Sequence, residues 1–181
     1  MDDDPDVVRP WVEAVRFPVL LDREHVLTEL YAISNVPTVV WIDETGRIVR
    51  PNGVAFGTDM FKEFTGVEAQ PHFDAIRRWV KIGEVPISPD EARVAVGDLS
   101  EDEVLARLHF RVAAHARRDG REDASRRHFA EAGGLAPFDW TIRRAALPLT
   151  GGDPFGQEFF DMYGEWQAAG SPYHGLPAQR S

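Results

Sequence analysis

The sequence predicts an α/β unit followed by a small all-α unit, and three observations carry that reading. Residues 17–50 run strand, helix, strand, tight turn, strand. Residues 84–89 break the pattern as a linker. From residue 88 onward the apolar spacing is helical, and two Ser-x-x-Glu capping boxes open helices. The division falls between an α/β domain over 1–87 and a helical domain over 88–181.

Asp4-Pro5 suits a helix start, with Asp as cap and Pro in the first turn. Val8, Trp11, Val12 and Val15 then fall at helical spacing. Phe17-Pro18 ends that helix. Pro18-Val19-Leu20-Leu21 follows as a short edge strand, since proline cannot donate to a ladder. Asp22 caps the next helix, whose stripe is Val26, Leu27, Leu30 and Tyr31 and whose end is near Ile33. Val36 precedes Pro37 and is held extended by it. Thr38 opens a strand, and Val39-Val40-Trp41-Ile42 reads as buried on both faces. Asp43-Glu44-Thr45-Gly46 turns the chain into an edge strand, Arg47-Ile48-Val49-Arg50. Pro51-Asn52-Gly53 is a loop, and Met60, Phe61 and Phe64 suggest a helical turn or two after Thr58. Pro71, Phe73, Ile76, Trp79 and Val80 give a closing helix stopped by Gly83.

In the second region Ser88-Pro89-Asp90-Glu91 opens a short helix that Gly97 stops. Ser100-Glu101-Asp102-Glu103 opens a longer one bearing Val104, Leu105, Leu108, Val112, Ala113 and Ala116. After Asp119-Gly120, a helix with Ala124, His128, Phe129 and Ala132 runs to Gly133-Gly134. Pro137 and Trp140 open another, to about Leu147. Ala113, Phe129, Ala132 and Pro137 have the spacing of the small, aromatic, small and proline positions of a tetratricopeptide repeat, which the region resembles. Phe155, Phe159, Phe160, Tyr163 and Trp166 stripe a last helix, and residues after Gly170 read as an irregular, partly disordered tail.

Phe17-Pro18-Val19-Leu20-Leu21-Asp22, Val36-Pro37-Thr38 and Ile42-Asp43-x-x-Gly46-x-Ile48-Val49 together resemble the second half of a thioredoxin-like domain of the redoxin type. The resemblance spans roughly residues 5–82. It implies an incomplete thioredoxin-like fold of helix, strand, helix, β-hairpin and helix. It also implies a cis proline at Pro37 and a peptide-binding loop at Val36, Pro37 and Thr38. That family's first strand, Cys-x-x-Cys helix and second strand would lie before residue 1. Without them the hairpin keeps an open edge, through which self-association is expected.

Composition narrows the function. There is no cysteine, so thiol-disulfide chemistry is closed to this chain. The net charge of -10 argues against nucleic acid. The acidic start carries no signal peptide, no apolar run has the length of a membrane span, and the cytoplasm is the expected compartment. No catalytic, metal or cofactor residue is assigned. The six histidines form no ligand-spaced pair. Asp22, Asp43 and Glu44 are explained as caps and turn residues, and Ser88 and Ser100 as caps. The arginine pairs, Arg143-Arg144 among them, read as solvated faces, with an acidic partner tail as the alternative. The aromatic stripe reads as core ahead of partner face. The expected function is a protein- or peptide-binding module. The alternative is the C-terminal part of a thiol-disulfide oxidoreductase or peroxidase-like redoxin whose cysteines lie upstream.

Overall fold

A computed structural model describes residues 5–22 and 25–176. The architecture is mixed and mainly helical, with one two-stranded antiparallel sheet. The predicted cap Asp4, positions 23 and 24 of the second predicted helix, and the tail beyond residue 176 lie outside the described residues.

Helix α1, Pro5–Val12, and helix α2, Val26–Leu30, bury no residue. Both Asp22 carboxylate oxygens accept from the first turn of α2, from the Val26 and Leu27 amides at 2.9 and 2.8 Å. The expected edge strand at 18–21 does not form. Val19, Leu20 and Leu21 are exposed and pair with no strand among the described residues. The expected buried stripe of α2 is also corrected: Val26, Leu27 and Leu30 face solvent.

Strand β1, Thr38–Ile42, pairs with β2, Ile48–Val54, with Thr38 opposite Val54 and Ile42 opposite Ile48. Gly46 turns the chain at φ +81°, and the Asp43 carboxylate gathers the Thr45 and Arg47 amides. Only Trp41 of β1 is buried, so the expected two-sided burial of this strand is corrected to one covered position. β2 runs past its predicted end through Pro51, Asn52 and Gly53, all buried. What holds that extension is the chain's own residues 171–176. Leu176 bridges Gly53 in parallel, and its amide donates to the Asn52 carbonyl at 2.8 Å. The predicted irregular tail is therefore, as far as residue 176, a strap that closes the outer edge of β2 at Asn52 and Gly53. The other edge of β1 pairs with no strand among the described residues.

A 3-10 turn, Asp59–Phe61, and α3, Lys62–Thr65, lead to α4, Gln70–Ile82, which Gly83 ends at φ +71°. Trp79 of α4 stacks on Trp41 at 5.0 Å. Helices α5, Pro89–Val96, and α6, Glu101–Arg118, both carry complete capping boxes. Helix α7, Glu122–Leu135, continues through Gly133 and Gly134 rather than ending there, and packs on α6. Ala106, Phe110, Ala113, Phe129 and Ala132 form the core between them. The helix expected from Pro137 to Leu147 starts later, as α8, Arg143–Thr150, because residues 137–142 form turns around the buried Asp139. Helix α9, Gln157–Ala168, brings its aromatic side chains against Trp140.

Candidate peptide-binding groove

The loop before Pro37 is held by groups far away in sequence. The Trp140 amide donates to the Ser34 carbonyl at 2.8 Å. The Ile33 carbonyl accepts from Arg107 Nη2 at 3.0 Å and from the Thr141 hydroxyl at 3.3 Å. Arg107 is 3% exposed and pairs with Asp139 at 2.8 Å. Burial pushes the Asp139 carboxyl up, against the pull of Arg107 and of the hydrogen bonds from Thr141. A buried ion pair of this kind adds little net stability, but losing one partner strands the other. Here the pair fixes the path of the loop.

The strap clamps the same loop from the other side. The His174 amide donates to Ser34 Oγ at 3.2 Å, and Asn52 Nδ2 donates to the His174 carbonyl at 2.6 Å and to the Ala32 carbonyl at 3.3 Å. The His174 ring sits between the Val96 carbonyl, at 2.9 Å, and Glu103 Oε1, at 2.7 Å. Burial raises the Glu103 carboxyl, but hydrogen bonds from Ser100 and His174 bring it below its ordinary value.

So held, the loop forms one wall of an open groove of about 670 Å³. Asn35, Val36 and Pro37 line it, and the Val36–Pro37 peptide bond is cis. Val36 is 45% exposed. Neither its amide nor its carbonyl makes a hydrogen bond among the described residues. Thr38 is set back from the groove, its hydroxyl donating to the Gly53 carbonyl at 3.2 Å. Val54, Phe56, Phe61 and Val67 form a second wall. The third is aromatic: Trp140, Phe155, Phe159, Phe160, Tyr163 and Trp166, with Arg144 between them and Ser171 and Tyr173 of the strap beside them. A cleft of this size, mostly apolar with few polar groups, has the dimensions of a ligand site.

Val36 and Pro37 thus share one groove with Phe159, Phe160, Tyr163 and Trp166 of α9. Sequence spacing showed the stripe but not its destination, which depends on how α8 and α9 fold back over the loop. His109 and His128 are a second pairing that spacing missed. They lie 19 residues apart on α6 and α7, with their Nδ1 atoms 2.9 Å apart. No cluster of three or more His, Asp or Glu side chains that could hold a metal ion occurs among the described residues. No helix among them is long and apolar enough to cross a membrane. Comparison with known proteins finds no matching family model, curated protein or solved structure.

Proposed function

We propose that the chain is a cysteine-free, thioredoxin-like binding module that holds an extended peptide in the groove beside Val36, Pro37 and Thr38. The observation that carries the reading is Val36, exposed on the rim of an apolar cleft, its amide and carbonyl making no hydrogen bond among the described residues. A free donor and acceptor on one residue match the backbone of an added strand, and the aromatic walls supply side-chain pockets. The groove has no thiol, so it binds without redox chemistry. Selection from a displayed peptide library on the full chain tests this. Binders are expected to lose affinity on Phe159→Glu and on Val36→Asp. Binders indifferent to both substitutions would sink the reading.

A second reading is supported by the other edge of the sheet. Ile42 is exposed on β1, whose other edge pairs with no strand among the described residues, and Phe17, Val19, Leu20 and Leu21 are exposed apolar residues as well. Strands supplied by a second copy, or by the cysteine-bearing half of an oxidoreductase, would cover such a surface. Light scattering and the intact mass of the native protein separate the two sources. A monomer of this mass would exclude both.

A further inference from the structure

We infer that the peptide held in the groove carries an acidic side chain, Asp or Glu, that pairs with Arg144; this rests on the peptide-binding reading above. Arg144 is the one charged residue among the described lining residues. Its guanidinium lies over Phe155 and Phe159, 4.6 and 5.0 Å from the ring centres. Nε donates to the Pro154 carbonyl at 3.2 Å, and neither terminal nitrogen makes a hydrogen bond or ion pair among the described residues.

Buried Arg50, over the Trp41 ring at 5.3 Å, also lacks a carboxylate among the described residues, but it lies outside the groove lining. Acidic residues outnumber Lys and Arg by 30 to 20. Other half-buried arginines have found them: Arg111 pairs with Glu29 at 2.8 Å, and neighbouring Arg143 with Glu165 at 3.0 Å. A partly desolvated cation left without a carboxylate is costly, and the aromatic faces compensate only in part. The two rings also confine the guanidinium, whose planar fork suits a carboxylate.

One further polar group lies beside the groove. Burial pushes the Tyr173 hydroxyl up, and it is a buried donor with Thr38 close by but outside hydrogen-bonding geometry. That hydroxyl is itself fully buried, so the donor that the groove leaves open to a ligand is Arg144. The net charge of -10 opposes an acidic partner at long range, but screening confines that field to about 8–10 Å at ordinary salt. At contact, Arg144 decides. A strand that pairs with both the amide and the carbonyl of Val36 runs past the loop in both directions. The anion that reaches Arg144 is then a side chain and not a chain end.

The test is selection of a randomised peptide library, displayed with both ends extended, on the full chain and on Arg144→Gln and Arg144→Lys. Wild type should enrich an Asp or Glu close to a bulky apolar residue. For one selected peptide made synthetically, Glu→Gln should weaken binding about tenfold or more, as loss of a charge-assisted hydrogen bond does. Arg144→Gln should bind both peptides equally and Arg144→Lys should keep the preference, which controls for folding. Enrichment of purely apolar peptides would overturn the inference and leave the peptide reading standing. An acid preference that survives Arg144→Gln would overturn it too. So would a second library with free C-termini in which the chain end alone supplies the anion. No enrichment in any library would overturn both readings.

Discussion

Helices α6 and α7 bury Ala106, Phe110, Ala113, Phe129 and Ala132 against one another, whereas α1 and α2 bury nothing. All four helices have apolar residues at helical spacing. The difference is length and a partner. At 18 and 14 residues, α6 and α7 present several turns of small side chains that let their backbones approach closely. At 8 and 5 residues, α1 and α2 are too short to be stable alone, and no described surface covers their apolar side. Spacing makes a face, and only a second face makes a core.

The sharpest way to break this contrast is to truncate one aromatic in each region. Phe110→Ala should cost about 3–5 kcal/mol in a denaturant titration. Trp11, 85% exposed, should cost within about 0.5 kcal/mol as Trp11→Ala. A large loss at Trp11 would mean that α1 docks on something in solution, and the contrast would fall. Nearly as large an effect is expected for Arg107→Ala, about 3–5 kcal/mol, because Asp139 would stay buried and unpaired. Replacing both partners with Met and Leu should recover most of it. Double replacement as costly as the single one would assign the cost to packing instead.

Gly175→Ala should come next, at more than about 1 kcal/mol. Its φ is +122°, and a Cβ there would run into the Asn52 carbonyl and side chain. Hydrogen exchange should show the Gly53 side of β2 opening, with α6 and α7 unchanged. Opening of both regions together would join what the contrast separates. The smallest effect is electrostatic. His72 lies half-buried beside Trp41, and burial, helped by Arg50, holds its imidazole below the usual 6.5. As pH falls through that range the unfolded chain takes up the proton first, so stability should drop with falling pH. An NMR titration placing His72 at or above 6.5 would contradict this.

Much of the fold was legible in local chemistry. The Ser88 and Ser100 capping boxes, the Asp43 turn and the Gly83 stop are short-range devices, and each occurs where the residues place it. The early end set for β2 was wrong because Pro51 and Gly53 look like a loop until Leu176 arrives to bridge Gly53. The α7 stop was wrong because two glycines cannot end a helix whose other face is packed on α6. Of the candidate site, Val36 and Pro37 were singled out only through the resemblance, as a peptide-binding loop. Arg144 was not, since as half of an Arg-Arg pair it resembled three other solvated pairs. Only the fold places Phe155 and Phe159 beneath it.

The strap has a consequence in the order of synthesis. His174 follows its partner Asn52 by 122 residues. While those residues are being made, the finished hairpin has both edges free, and contacts so distant in sequence close slowly. The Gly53 end of β2 is therefore closed only after nearly the whole described chain has been made.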